Sequence, residues 1–354
     1  MPTFPDTGSS LVFQPSDRIL IVAPHPDDES IATGGLIQSA LAAGAAVRVI
    51  VLTDGDANVW PQRWIEKRWR IDAIARARWG ARRREEARQA MRVLGLHEDA
   101  ARFLGLPDMG LTDLLMRGGT QVCASLRSAI AGFAPTCIVL PALGDRHPDH
   151  SAANILVRLA LDGGAGHSAR LLAYAVHGDG VGANVVCELS PASQDRKRDA
   201  ILAHATQMRL SSKRFLRHAG PQERYVDAGV PAAPADAAAM PLLRARLGED
   251  GSLHVDIASS QSLRGLALFV VLDDGNDRLC LKVECAPRQR EWPVLDTIAG
   301  QWRGAAHVQR GEAVWSIRLR TERSRWRQGF VKLARQHPGI WVFDRCGWAI
   351  VDPS

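Results

Sequence analysis

No stretch of this 354-residue chain comes near the roughly 18 consecutive apolar residues that a membrane-spanning helix needs. The opening "MPTFPDTGSSLVFQPSD" lacks the basic start and the apolar centre of a secretory leader, so the expectation is a soluble, cytoplasmic protein without a transmembrane segment. Cysteine is sparse, six residues with no CxxC pair. A chain of this length folds without disulfides, so these are expected as buried, reduced thiols. The nucleotide fingerprints GxGxxG and GxxxxGK[ST] are missing, which argues against a dinucleotide or P-loop enzyme. No internal repeat is visible. The net charge of +6 comes without a nucleic-acid recognition module, so nucleic acid is not an expected partner. A small-molecule or glycoconjugate substrate, of a kind that can be anionic, is.

What is present is apolar residue in quantity, 46% of the chain, enough for one large domain and a smaller one. In the first two thirds, apolar runs alternate with helix-like stretches. "RILIVAP" (18–24), "AAVRVIVLTDG" (45–55) and "PTCIVLPAL" (135–143) read as strands, and "IATGGLIQSALAAG" (31–44) as a helix between them. That alternation predicts an α/β domain with a mainly parallel, helix-covered sheet. Residues 227–241, "DAGVPAAPADAAAMP", are poor in large apolar side chains and read as a linker. After it come short strand-like runs with the turn sequences "EDGS" and "DDGN", which predict an antiparallel, sandwich-like all-β domain. The expected division is 1–230 and 242–354.

Two segments rich in histidine and aspartate follow apolar runs, "APHPDDES" (23–30) and "GDRHPDH" (144–150). Open α/β sheets bind ligands at the carboxyl ends of strands, so both are placed to meet at one edge. His25 and Asp28, three residues apart at a strand-to-helix junction, can face one crevice, while Asp27 must point elsewhere. A third ligand comes from His150 or His147, and spacing leaves both open. Three nitrogen and oxygen ligands with one open position are the pattern of a catalytic zinc, whereas structural sites are closed and usually thiolate-rich. Asp27 is then placed to take a proton from attacking water, and the spare histidine, His147, to donate to the oxyanion. Asp149 can orient a histidine ring through a hydrogen bond.

These residues, with "TDG" (53–55), "FLGLPD" (103–108), the R-x-x-E of Arg83 and Glu86, and "KRDAILAHATQ" with Lys197, His204 and Gln207, resemble the PIG-L/LmbE-like zinc de-N-acetylases through about residue 210. The resemblance implies a Rossmann-like three-layer fold. It also implies one Zn2+ per chain, or another divalent metal, on His25, Asp28 and His150, with Asp27 as general base and His147 as electrophilic or acid partner. It further implies Arg83 and Asp108 lining the substrate crevice. It does not reach the β-rich last third, whose role it leaves open.

Among secondary candidates, Trp60 lies in a tryptophan- and arginine-rich segment (60–84) that reads either as a lid gripping a sugar conjugate or as a helix with core tryptophans. His177 follows a strand-like run and is a substrate-binding candidate. The C-terminal tryptophans are expected mostly in the core, an exposed row being the mark of a carbohydrate-binding face. The expected function is removal of an N-acetyl group from a GlcNAc-type amino sugar, giving acetate and the free amine. The alternatives are a metal-dependent amidase on a sugar-cysteine or other acyl-amide conjugate, and a non-catalytic carbohydrate-binding protein.

Overall fold

The computed structural model describes residues 9–162, 169–178, 182–228, 242–321, 323, 325–336 and 343–352. Through residue 228 the elements are β1 (Ser9–Ser10), β2 (Arg18–Ala23), α1 (Asp28–Ala42), β3 (Ala46–Thr53), α2 (Val59–Glu66), α3 (Ala73–Val93), β4 (Ala101–Leu106), α4 (Leu111–Met116), α5 (Thr120–Phe133), β5 (Cys137–Pro141), α6 (Pro148–Asp162), β6 (Arg170–Tyr174), β7 (Val185–Glu188), α7 (Pro191–Ala203), α8 (Ala205–Leu216) and β8 (Gln222–Asp227). Then follow β9 (Leu242–Leu247), β10 (Ser252–Ala258), β11 (Leu266–Asp273), β12 (Arg278–Glu284), β13 (Glu291–Asp296), β14 (Gln301–Arg310), β15 (Val314–Arg320), β16 (Gln328–Arg335) and β17 (Ala349–Ile350). Two compact units result, one of residues 1–110, 129–142 and 168–233, the other of residues 111–128, 143–167 and 234–354. The expected linker lies, from residue 229 on, outside the described residues. No helix of the described residues is long and apolar enough to cross a membrane.

The first unit is built on a sheet of order β1-β7-β8-β6-β5-β2-β3-β4. The stretch β6-β5-β2-β3-β4 is parallel, as the alternating sequence predicts, and β8 runs antiparallel to β6 and β7. Strands buried on both faces read as continuous apolar runs, and β2 and β5 do so. Helix α1 begins with Asp28 and Glu29, whose charges suit a helix N-terminus, and packs on β2 and β3. From β2 the chain steps to β3 and β4 on one side, whereas β5 lies on the other side of β2, with Ile21 opposite Val139. The order therefore reverses between β2 and β5, and at such a switch point the ligand crevice of an open sheet forms. Residues 24–30 leave β2 at that end. Deeper in the unit, Glu223 on β8 accepts from the Gly35 and Leu36 N–H groups (2.7 and 2.8 Å), from Lys197 Nζ (2.5 Å) and from the Tyr225 hydroxyl (2.7 Å).

In the second unit a nine-stranded antiparallel sheet, order β17-β16-β11-β12-β13-β14-β15-β10-β9, packs its alternate residues into one core that includes Val255, Val270, Leu281, Trp292 and Ile317. The turns "EDGS" and "DDGN" close the β9–β10 and β11–β12 hairpins. The expected sandwich is corrected to a single sheet that curls almost into a barrel. The Leu247 N–H donates to the Asp352 carbonyl (3.0 Å) and the Asp352 N–H to the Ala245 carbonyl (2.9 Å), so the two edges meet. Register shifts at Asp256/Ile257 and Pro293/Leu295 supply the curvature. Inward-outward alternation is common to both architectures, so the strand pattern alone does not separate them. Helices α4 and α6 belong to this unit and pack on each other. Arg278 donates to the Gly118 carbonyl and Thr297 to the Met116 carbonyl, tying the end of α4 to the sheet.

The six cysteines are free and buried, as expected. Trp292, Trp315 and Trp348 are core residues. Trp302 is exposed, Trp326 is partly buried, and Trp341 lies outside the described residues.

Candidate functional site

The first unit holds the turn from β2 into α1. His25, one proline past the turn's entry, is buried, and its N–H donates to Asp28 Oδ2 (2.9 Å). The same carboxylate oxygen lies 3.2 Å from His25 Nδ1, while His25 Nε2 lies 3.2 Å from Asp108 Oδ1. One imidazole thus stands between two carboxylates. Asp108 also accepts from the Ala57 N–H (2.7 Å). Burial alone would raise its pKa, but the hydrogen bond and charge of His25, with the Ala57 N–H, bring it down to about 2.

Asp27 is held differently. Its φ of 145° lies in a region that residues other than glycine rarely adopt, a strain of roughly 1–3 kcal/mol that its surroundings must sustain. Its N–H donates to Glu29 Oε2 (3.0 Å), and its Oδ2 accepts from Arg83 Nη2 (2.8 Å). Arg83 is buried and donates also to the Pro26 carbonyl (2.7 Å) and the Gly55 carbonyl (2.5 Å). Gly55, φ +64°, cannot be replaced freely, since a Cβ there would fall 1.8 Å from Arg83 Nη1. The "TDG" turn is therefore the seat of the guanidinium. Burial pushes the Asp27 carboxyl up to about 6, against the pull of Arg83 and with the repulsion of Asp28. Behind it, His204 Nε2 lies 3.1 Å from Glu29 Oε1 and 3.1 Å from the Ser30 hydroxyl. Burial opposes a charge on His204, yet the Glu29 pairing prevails and raises its pKa.

The second unit holds the segment that follows β5, in which Pro148 opens α6. His150 is fully buried, and its Nδ1 is 3.1 Å from Asp145 Oδ2. A carboxylate on Nδ1 fixes the ring so that Nε2 presents a lone pair, the usual arrangement of a metal-binding histidine. His147 is set up in the opposite sense. Its Nδ1 accepts from the Asp149 N–H (3.3 Å), which places the ring proton on Nε2 and makes that atom a donor. Asp145 Oδ1 accepts from the His147 N–H (2.9 Å), so one aspartate braces both histidines. Asp149 Oδ1 accepts from the Leu111 N–H (3.0 Å).

The donor chemistry fits a divalent metal of the zinc class: ring nitrogens and carboxylate oxygens, buried and without thiolate. In the first unit His25 and Asp108 are members of His/Asp groups whose ligand atoms could hold a metal ion. In the second unit His147, Asp149 and His150 are members of such groups. Asp28 is not in these groups, its Oδ2 being directed at the His25 backbone and ring.

The remaining candidates fall elsewhere. Trp60 on α2 is 60% exposed, with the Arg63 guanidinium over its ring, and Trp64 and Trp69 are exposed as well. Trp79 is in the core, so the tryptophan-rich segment is partly core and mostly surface. His177 Nδ1 lies 2.9 Å from Arg214 Nη2. Lys197 pairs with Glu223, and Gln207 donates weakly to Thr206 (3.5 Å). Sequence reading passed over Asp145 and Glu29. Both lie inside the quoted motifs, and the signal for each was a carboxylate near a proposed ligand without a role of its own.

Residues 20–161 match the family model described as "PIG-L: GlcNAc-PI de-N-acetylase". The 1D-myo-inositol 2-acetamido-2-deoxy-alpha-D-glucopyranoside deacetylase of Mycobacterium avium (strain 104) is 35% identical over 147 residues, 38% of this chain and 47% of that protein. The protein of the same name from Mycobacterium sp. (strain KMS) is 30% identical over 169 residues, 44% of this chain and 53% of that one. The chain thus spans about half the length of the curated relatives it matches. Among solved structures, the conserved protein TT1542 from Thermus thermophilus is 26% identical at a TM-score of 0.45, covering 62% of this chain and 98% of that one.

Proposed function

We propose, for a chain whose residues 20–161 match the PIG-L family model, that the protein is a metal-dependent hydrolase removing the N-acetyl group from a GlcNAc-type amino sugar, with acetate and the free amine as products. The observation that carries this reading is Asp27, a buried carboxyl held by Arg83 in a strained backbone conformation two residues from His25. A carboxylate kept apart from ligand duty beside a ligand histidine is what proton transfer to and from a reacting amide requires.

In this reading His25, Asp28 and His150 hold one divalent ion, zinc in the first instance. When bound, such an ion polarises an amide carbonyl and makes water acidic near neutral pH. Asp27 accepts the proton of the attacking water and later delivers it to the departing amine. Arg83 fixes which Asp27 oxygen is offered. His147, with its proton on Nε2, donates to the carbonyl oxygen as negative charge develops there. Asp108 holds the His25 ring, and Asp145 and Asp149 orient His150 and His147. Trp60 offers an exposed ring face to a sugar, and His177 is the weaker substrate contact. The Rossmann-like three-layer arrangement goes with the same reading.

By their name the curated relatives act on a GlcNAc-inositol, so that class of glycoside is the first to test. The purified full chain should release acetate from GlcNAc-inositol or N,N′-diacetylchitobiose, lose the activity on chelation and regain it with Zn2+. Release of a larger acid from an acyl-amide conjugate, with no acetate from any N-acetyl sugar, would replace deacetylation by the amidase alternative.

A further inference from the structure

The β-rich last third of the chain has no part in the chemistry described so far, yet within the second unit it meets the segment carrying His147 and His150. Residues 343–348 run along residues 143–146. The Asp344 N–H donates to the Arg146 carbonyl (2.9 Å) and the Trp348 N–H to the Leu143 carbonyl (2.9 Å). Between those bonds the two backbones are so close that a Cβ on Gly347 would lie 2.3 Å from the Leu143 oxygen and 2.5 Å from the Gly144 carbonyl carbon. Lys332 on β16 locks the arrangement. Its ammonium is fully buried, 2.5 Å from Asp344 Oδ2, 3.4 Å from the Ser151 hydroxyl and 5.8 Å over the Trp348 ring. A buried ammonium that lost its carboxylate would be strongly destabilising, so this contact fixes Asp344 and the residue before it.

That residue is Phe343. Its ring and the His147 imidazole meet in a T-shaped arrangement, with centroids 6.0 Å apart at an interplanar angle of 75°. His147 is 7% exposed and Phe343 is 38% exposed, so Phe343 keeps accessible aromatic area beside the histidine assigned to the carbonyl oxygen. A rigid aromatic face next to a reacting group suits the carbon-hydrogen face of a pyranose, because aromatic rings offer large apolar area at low conformational cost.

We propose that Phe343 is a specificity-determining residue, a platform contributed by the C-terminal sheet on which the substrate's sugar ring rests beside His147. This rests on the deacetylase reading of His147. The test compares Phe343→Ala and Phe343→Trp with wild type in the full chain, using GlcNAc-inositol in steady-state kinetics and in calorimetric binding. Phe343→Ala should raise KM and Kd about three- to tenfold, the size of a lost aromatic contact. It should leave kcat within about twofold, as expected for an interaction made equally in ground and transition states. The pH profile and Tm should stay where they are, and Phe343→Trp should restore binding. Unchanged KM and Kd in Phe343→Ala would overturn the proposal while leaving deacetylation intact. A fall in kcat with KM untouched would also overturn it, because Phe343 would then act only by positioning His147. If wild type binds the glycoside but releases no acetate, deacetylation fails and the Kd comparison alone decides for or against Phe343. Neither binding nor turnover in wild type would overturn both.

Discussion

Asp27 and Asp28 are neighbours in sequence, and their environments separate them. Asp28 turns its Oδ2 to the His25 ring and main chain, while Asp27 is turned through a positive φ toward Arg83. Much of this was legible from the sequence, because adjacent side chains at a strand-to-helix junction must diverge. Asp145 was not legible. It sits five residues before His150, and only the path of the loop after β5 brings its carboxylate to that ring while its other oxygen takes the His147 N–H. The sequence assigned ring orientation to Asp149, whose Oδ1 takes the Leu111 N–H. Asp145→Asn is therefore predicted to weaken metal affinity about 10- to 100-fold, the usual cost of losing a carboxylate behind a ligand histidine. Competition against a chromophoric chelator measures this, and an affinity equal to wild type would remove Asp145 from the site.

At the scale of elements, the apolar runs announced β2, β3 and β5 because strands buried on both faces tolerate little polarity. The first motif therefore fell at the end of β2, and the sheet order added the reversal between β2 and β5 at which an open sheet forms its crevice. Less visible was what joins α1, α7 and β8. Glu223 gathers two backbone N–H groups of α1, the Lys197 ammonium and the Tyr225 hydroxyl in a buried cluster that no local periodicity encodes. The sequence pointed to Lys197 through a family resemblance, and its observed partner makes it a fold residue. Lys197→Met should destabilise the protein by about 3–5 kcal/mol, since it leaves a buried carboxylate without its cation. Urea unfolding monitored by circular dichroism would show the loss. Adding Glu223→Gln should recover part of it, and a Lys197→Met protein as stable as wild type would contradict the account. The curled sheet of the second unit was half legible: hairpin turns and alternation were in the sequence, closure through the Asp352 backbone was not.

For the whole molecule, the sequence changes character near residue 242, but the compact units interleave along the chain. Residues 111–128 and 143–167 gather with the C-terminal strands. Side-chain to backbone contacts such as Arg278 to Gly118, across a long sequence separation, leave no trace in composition, so they could not be anticipated. The same grouping puts His147 and His150 in one unit with Phe343 and Lys332, which is why the last third of the chain enters the proposed chemistry. The central claim is that Asp27 handles a proton and does not hold the metal. The most direct test is metal content by mass spectrometry together with acetate release from GlcNAc-inositol, for wild type and Asp27→Asn side by side. The account predicts about one metal per chain in both proteins, with acetate release lost by at least about 100-fold in Asp27→Asn, the scale of general acid–base catalysis. An Asp27→Asn protein that keeps its activity, or that loses its metal along with it, would contradict the claim.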